Sequence, residues 1–231
     1  MNKSKTEKHL VEVIKTARYF TYGELTGKTK NIWFVLHGYG QLAKYFIGKF
    51  KILNDGNNFI VSPEALNKFY LKGFSGRIGA TWMTKEERES EIKDYVNFLD
   101  SVYTTLLNNI NLNSIKINLL GFSQGAHTAV RWLLKGKIEP DNLILWSGSF
   151  PNEQIGENEV ALLNESSIFI LIGSRDEFID EKSIEAERRR LNSMKLNYEL
   201  IQFDGGHEIT GEVLSLLVKR LEAKDNGKSK I

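Results

Sequence analysis

The sequence predicts an α/β fold in which helices cover both faces of a mostly parallel central sheet. Short, continuously apolar runs recur along the chain and alternate with longer segments of helical periodicity. Runs that are apolar throughout suit strands buried on both sides, as in parallel sheets covered by helices. Alternation with helices indicates βαβ units. We expect one domain over residues 1–231, with frayed ends at 1–8 and 224–231.

The strands are predicted from these runs in chain order. Two short segments near the N-terminus are expected to pair as an antiparallel hairpin, 9–14 and 18–24. Five buried strands follow at the apolar runs 32–36, 59–61, 115–120, 143–146 and 168–172. The last strand, 198–203, alternates more openly, which is typical of an edge strand.

Helices are predicted between the strands. The clearest one starts at Thr84, which has the spacing of a capping box with Glu87. Apolar residues at three- and four-residue intervals then continue from Ile92 to Leu107, as in an amphipathic helix. Further helices are expected at 124–134, 183–191 and 211–221.

The longest segment without a clear period is 63–83, which is rich in glycine and aromatic residues. Loops of this length in compact domains are usually functional or disordered. The aromatic side chains favour order, so the segment is either a packed crossover or part of a site.

Composition excludes several classes of protein. The 31 Lys and Arg residues nearly balance the 29 Asp and Glu residues. This balance does not indicate a nucleic-acid partner, which would require a stripe of basic residues. The absence of cysteine excludes disulfides and thiolate chemistry. No signal peptide is evident, and no apolar stretch approaches the ~18 residues that span a bilayer. We therefore predict a cytoplasmic protein without stable membrane insertion.

A Gly-x-Ser-x-Gly motif spans 121–125, where a predicted strand runs into a predicted helix. That context is what a nucleophile elbow requires. The tight turn lifts the Ser123 hydroxyl above the sheet, and the helix N-terminus beneath it favours developing negative charge. Ser123 is therefore the predicted nucleophile, and it needs a base to accept its proton.

Four histidines compete for the role of base, and their positions separate them. His9 lies in the predicted hairpin, and His37 closes a strand before a glycine-rich turn. His127 is one turn along the helix that Ser123 opens, where a packing role is the simpler interpretation. His207 follows the last strand and alone satisfies the chain order nucleophile, acid, histidine.

The acid is predicted at Asp176, which follows a strand by a short turn. It would hold the imidazole of His207 in one tautomer and stabilise the imidazolium. Asp180 is the nearest rival, close to the next helix. Asp141 precedes a strand, and Asp204 is too close to His207 in sequence.

Two backbone N–H groups are predicted to bind the oxyanion of the tetrahedral intermediate. One belongs to Gln124, directly after the nucleophile, and the other to Tyr39, between two glycines after a strand. The 23–29 segment is too short between its glycines for a P-loop, and no histidine–carboxylate cluster has metal-site spacing. We predict no cofactor and no metal.

With these residues assembled, the chain resembles the carboxylesterase/phospholipase family of small α/β-hydrolases, which includes acyl-protein thioesterases and bacterial carboxylesterases. The matching motifs occur in the same order at 36–40, 121–125, 173–176 and 206–208. The resemblance implies the α/β-hydrolase fold and cofactor-free hydrolysis of carboxylic esters, thioesters or lysophospholipids. It also places substrate contacts near 78–83, where the sequence differs from the thioesterase version. Phe74, Trp82 and Met83 are the predicted pocket residues.

The predicted function is hydrolysis of a small-molecule carboxylic ester through an acyl-enzyme on Ser123. Lysophospholipase and acyl thioesterase activity on the same fold remain alternatives. A peptidase usually brings a cap or propeller domain, and dienelactone hydrolases generally use cysteine. A non-catalytic binding module would usually have lost a triad residue, whereas all three positions are filled. Homodimerisation is left open.

Overall fold

The computed structural model describes residues 6–108 and 110–228 of the chain. Its nine strands are β1 Tyr19–Tyr22, β2 Asn31–Leu36, β3 Asn58–Pro63, β4 Asn67–Tyr70, β5 Ile78–Thr81, β6 Lys116–Phe122, β7 Asn142–Trp146, β8 Ser167–Gly173 and β9 Tyr198–Phe203. Seven of them form one sheet in the order β1-β3-β2-β6-β7-β8-β9, and β4 and β5 form a separate two-stranded hairpin. All neighbours in the large sheet are parallel except β1 and β3.

Helices cover both faces of this sheet. They are α1 Ala43–Phe46, α2 Arg88–Leu107, α3 Gln124–Lys135, α4 Glu157–Leu163, α5 Glu181–Ser193 and α6 Gly211–Lys228, with 3₁₀ turns at Ile47–Leu53 and Leu112–Ser114. The helices α2 to α5 pack on one face, and α1, the first 3₁₀ turn and α6 pack on the other. Among the described residues, none of these helices has the length and apolarity to cross a bilayer.

The interior strand β2 shows why the apolar runs become buried strands. Successive side chains of a strand point to opposite faces. Ile32, Phe34 and Leu36 enter the core beneath α2 and α3, whereas Trp33 and Val35 enter the core beneath α6. Because helices cover both faces, every residue of this run must be apolar.

The predicted fold class is confirmed, including an antiparallel strand pair that involves the N-terminal part of the chain and lies at one edge of the sheet. The predicted partner within that pair is wrong. Residues 9–14 form no strand, and β1 pairs with β3 instead, with Tyr19 opposite Pro63. Ion pairs of Lys8 with Glu87 and of Glu12 with Lys93 hold the N-terminal segment against α2. The edge of β3 that faces away from β2 is thus occupied by β1.

The start of α2 also differs from the prediction. The helix begins at Arg88 rather than Thr84, because Glu87 has a left-handed backbone with φ of 49°. Thr84 does not form the predicted capping box; its N–H donates to the carboxylate of Glu91. The last helix, α6, extends to Lys228, beyond its predicted end. Of the predicted frayed ends, 1–5 and 229–231 lie outside the described residues.

The segment 63–83 is ordered, as its aromatic residues indicated, but it is not a plain crossover. Its centre is the β4–β5 hairpin, and Gly73 and Gly76 in the connecting turn both have positive φ. Glycine adopts this backbone region without the steric penalty of a side chain. The hairpin follows β3 and precedes α2, so it lies at the carboxyl end of the sheet.

Candidate active site

The turn between β6 and α3 has the geometry of a strained elbow. Ser123 lies at its apex with φ 54° and ψ −119°, a region that costs a non-glycine residue about 1–3 kcal/mol. A Cβ on Gly121 would lie 2.2 Å from the Gly125 carbonyl oxygen, and one on Gly125 would lie 2.2 Å from that of Leu36. Both glycines of the motif are therefore required by close backbone approach.

Asp176 and His207 are in direct contact, as predicted. The imidazole Nδ1–H donates to both carboxylate oxygens of Asp176, at 3.0 and 2.9 Å. The Asp176 side chain is fully buried, and it also accepts the N–H of Phe178 at 3.0 Å. The loops that carry the pair are joined by the Arg175 N–H, which donates to the Gly205 carbonyl at 2.8 Å.

The imidazole of His207 lies beside the elbow, between two aromatic rings. Its centroid is 5.0 Å from that of Phe122, the residue before Ser123, and 4.7 Å from that of Phe178. Among the described residues, no hydrogen bond joins the Ser123 hydroxyl to His207. Such bonds are often long in ligand-free enzymes and shorten when substrate binds. The Nε2 atom of His207 likewise has no hydrogen-bond partner in the described chain.

The three rival carboxylates have other partners. Asp180 caps the N-terminus of α5, where it accepts the Ser183 N–H at 2.8 Å and its hydroxyl at 2.6 Å. Asp141 lies at the amino end of the sheet and accepts a bond from Lys116. Asp204 is exposed and forms an ion pair with Arg175. Of the four, only Asp176 is hydrogen-bonded to His207.

His37 and His127 are held neutral by burial. His37 donates from Nδ1 to the Gly38 carbonyl at 2.8 Å and accepts the Ala65 N–H at Nε2, at 3.1 Å. Burial lowers the pKa of His37 to about 4, with a smaller opposing effect of its bond to Gly38. Burial, reinforced by nearby Arg131, likewise lowers the pKa of His127 to about 4.

The buried His37 predicts loss of stability in acid. Because its folded pKa lies below the unfolded value of about 6.5, the unfolded chain takes up the proton first as the pH falls. The contribution of His37 to the free energy of unfolding is thus fully present above the unfolded pKa and declines as the pH falls toward 4. Between pH 7 and 5 this residue should remove about 2 kcal/mol from the free energy of unfolding.

Urea unfolding at the two pH values measures this effect. The fall in unfolding free energy should be smaller by about 2 kcal/mol in His37→Gln than in the unsubstituted chain. His127 contributes to both proteins alike. Equal pH dependence in the two proteins would contradict a buried neutral His37.

The two predicted oxyanion donors are unpaired. Among the described residues, neither the Tyr39 N–H nor the Gln124 N–H has a hydrogen-bond partner. Gly38, which precedes Tyr39, lies against the nucleophile: a Cβ built on it would be 3.2 Å from the Cβ of Ser123. Gly40 follows with φ of +72°, so glycines allow the sharp turn on both sides of Tyr39.

The structure does not bring the three predicted pocket residues together. Phe74 is 98% exposed in the turn of the β4–β5 hairpin, away from the core. Trp82 is only 1% exposed, and its indole N–H donates to the His37 carbonyl at 2.8 Å. The roles of these two as substrate contacts stay predictions. Met83 is partly exposed and remains a predicted contact.

Two features of the site escaped the sequence analysis. Phe178 is 73% exposed and packs its ring against His207. The only signal for this contact in the sequence is the position of Phe178, two residues after Asp176. The Gln124 side chain forms hydrogen bonds with the backbone of Trp82 and Met83, whereas the motif predicts a role for its backbone N–H alone. Within the described part of the chain, no group of three or more His, Asp or Glu side chains could hold a metal ion.

The chain matches one family model, and its fold is similar to that of several solved structures. Residues 24–224 match the family model described as phospholipase/carboxylesterase. Zea mays acyl-protein thioesterase 2 superposes with a TM-score of 0.67 at 18% identity, over 90% of this chain and 99% of that one. Comparison with the curated proteins gives no significant match.

Two bacterial structures are similar to the same extent. The Bacillus cereus carboxylesterase has a TM-score of 0.63 at 17% identity, over 90% of this chain and 94% of that one. A phospholipase/carboxylesterase from Dyadobacter fermentans has a TM-score of 0.62 at 17% identity, over 89% and 96%. The family model covers most of the chain, and these folds agree with it. The protein is thus a member of the phospholipase/carboxylesterase family of α/β-hydrolases and acts on ester bonds.

Proposed function

We propose that the protein hydrolyses small-molecule carboxylic esters with Ser123 as nucleophile, His207 as base and Asp176 as the orienting acid. The observation that carries this proposal is the buried Asp176–His207 hydrogen bond beside the strained Ser123 turn. A serine hydroxyl is a weak nucleophile until a base accepts its proton, and an oriented imidazole is such a base.

In the proposed reaction, the Ser123 oxygen attacks the ester carbonyl while its proton passes to His207 Nε2. The Tyr39 and Gln124 amides donate to the resulting oxyanion, since both lack other partners in the described chain. As the carbonyl re-forms, the alcohol leaves with the proton from His207. Water, deprotonated by the same imidazole, then attacks the acyl-enzyme; the bond to the Ser123 oxygen breaks, the carboxylic acid leaves, and the proton passes from His207 back to that oxygen.

The substrate is proposed to be apolar next to the scissile bond. Tyr39 and Phe178 are 61% and 73% exposed; the backbone of Tyr39 carries a proposed oxyanion donor, and the ring of Phe178 packs against His207. Exposed aromatic side chains of this kind bury apolar surface when a ligand binds. Because both side chains are open to solvent, we propose short and medium acyl chains rather than one long chain fully enclosed.

Labelling with a fluorophosphonate tests the nucleophile. The probe should modify Ser123, and digestion followed by mass spectrometry should find the adduct in the peptide that contains it. A failure to label, or an adduct on a different serine, would exclude the proposed mechanism. Denatured protein serves as the control, because activation depends on the folded site.

A series of p-nitrophenyl esters from two to sixteen carbons then defines the substrate class. We expect kcat/KM to be highest for short and medium chains and to fall for the longest ones. A maximum at sixteen carbons, or preference for lysophospholipids, would favour a lysophospholipase. Faster cleavage of matched thioesters than of oxoesters would favour a thioesterase. No turnover of any of them would favour a binding protein.

A further inference from the structure

We propose that residues 79–83, here called the brace, position both oxyanion donors, and that the side chain of Gln124 is the positioning residue that connects them. This inference rests on the proposed function, because it concerns the same oxyanion site. The brace comprises the end of β5 and the two residues after it. It contacts the chain on both sides of Tyr39 and also contacts the elbow.

The first contact holds the loop that follows Tyr39. The Gly40 N–H donates to the Ala80 carbonyl at 2.9 Å, and the Ala80 N–H donates to the Gln41 carbonyl at 3.1 Å. The backbones approach so closely that a Cβ on Gly79 would lie 2.5 Å from the Gly40 oxygen. The loop therefore pairs with the brace like a short antiparallel strand.

The second contact holds the residues before Tyr39. The buried indole of Trp82 donates to the His37 carbonyl and packs on the His37 ring at a centroid distance of 5.1 Å. His37 in turn donates to the Gly38 carbonyl, which also accepts the Gln41 N–H at 3.2 Å. Because the peptide is planar and trans, fixing the Gly38 carbonyl directs the Tyr39 N–H the opposite way.

The third contact joins the brace to the elbow through the Gln124 side chain. Its Oε1 accepts the backbone N–H of Trp82 at 3.1 Å, and its Nε2 donates to the Met83 carbonyl at 2.9 Å. Nε2 also donates to the Thr81 hydroxyl at 2.9 Å. The residue whose backbone N–H is one oxyanion donor is thus tied by its side chain to the segment that holds the other donor.

This connection matters because oxyanion stabilisation depends on donors that are already in place. A donor that must reorient during the reaction contributes less, and even a small displacement weakens a hydrogen bond to the developing charge. Tyr39 and Gln124 belong to different loops, after β2 and β6. The brace contacts both loops, so it sets the spacing between their N–H groups.

Gln124→Met tests the inference, since methionine has a similar volume and forms no amide hydrogen bonds. We expect kcat on p-nitrophenyl butyrate to fall about 10- to 100-fold with KM within about twofold, less than the loss of a whole donor. Inhibition by a trifluoromethyl ketone, which forms a tetrahedral adduct, should weaken in proportion to kcat/KM. Binding of the unreactive methyl ketone should not change.

The matched control is Ser166→Ala. Ser166 is buried at the amino end of the sheet, where its hydroxyl donates to the Pro140 carbonyl at 2.6 Å. Its removal should lower Tm by a few degrees while leaving kcat and the inhibition constant unchanged. If Gln124→Met does not fold, Gln124→Glu tests the inference in its place. Glutamate keeps the oxygen that accepts the Trp82 backbone N–H but loses the N–H that donates to the Met83 carbonyl. We expect kcat and inhibition by the trifluoromethyl ketone to fall together in this variant.

Two results would overturn the inference. One is a folded Gln124 variant with kcat and ketone inhibition within about twofold of the unsubstituted protein. The other is a parallel fall for Ser166→Ala, which would make the effect one of stability. Failure of the proposed function has a separate signature, because the unsubstituted protein would then not be labelled at Ser123.

Discussion

Ser123→Ala should lower kcat for ester hydrolysis by about 10⁴- to 10⁶-fold, as expected when the nucleophile of a cooperating triad is lost. The imidazole then has no hydroxyl to deprotonate, and no acyl-enzyme forms. Residual turnover would come from water attack assisted by the oxyanion donors. The fold should persist, because the Ser123 hydroxyl makes no hydrogen bond within the described residues and alanine tolerates the same backbone as serine.

Ser149→Ala is the matched control for this substitution. Ser149 is also partly exposed, and its hydroxyl lies 3.2 Å from a histidine nitrogen, that of His127. It follows β7 rather than the elbow, so its removal should leave kcat within about threefold. Steady-state assays and near-UV circular dichroism measure activity and folding in parallel. Comparable losses in the two variants would contradict the assignment of Ser123.

Asp176→Asn should reduce kcat by about 10³- to 10⁴-fold without displacing the histidine, because the side chains have the same shape. The carboxylate accepts the Nδ1–H of His207, which leaves Nε2 free to accept the serine proton. An amide that donates to Nδ1 instead favours the tautomer protonated at Nε2. That tautomer cannot serve as the base. Loss of the carboxylate also removes the charge that stabilises the imidazolium.

The rival carboxylate provides a matched control. Asp180→Asn is the same chemical change four residues along, at a helix cap where asparagine is nearly equivalent to aspartate. Its kcat should stay within about twofold. The two variants are compared by kcat at pH 8, with the thermal midpoint as the measure of folding. A large loss in Asp180→Asn and none in Asp176→Asn would exchange their roles.

The large sheet could be predicted because its pattern is local. Strands buried on both faces must be apolar at every position, so β2, β6, β7 and β8 are visible as runs in the sequence. The N-terminal pair could not be assigned correctly by the same reasoning. Residues 9–14 have the composition of a strand whether or not another strand accepts them. Which segment occupies the edge of β3 depends on contacts between distant parts of the chain.

The exposure of the predicted pocket residues could not be read from the sequence. Phe74 and Trp82 are both aromatic and close in sequence, yet one is exposed in a hairpin turn and the other is enclosed against His37. Composition does not distinguish them, because exposure follows from how the hairpin packs on the oxyanion loop. The hairpin itself was missed, since its glycines and aromatic residues show no regular period.

The sequence by itself determined the fold class, the strained Ser123 turn and the order of the three candidate catalytic residues along the chain. These depend on local rules: apolar runs, glycines where backbones meet, and loops that follow parallel strands. Only the tertiary structure decided that Asp176 rather than Asp180 meets His207, and that the Gln124 side chain ties the elbow to residues 79–83. Such contacts join residues far apart in the chain, and their distances are set by how the sheet, hairpin and helices pack together.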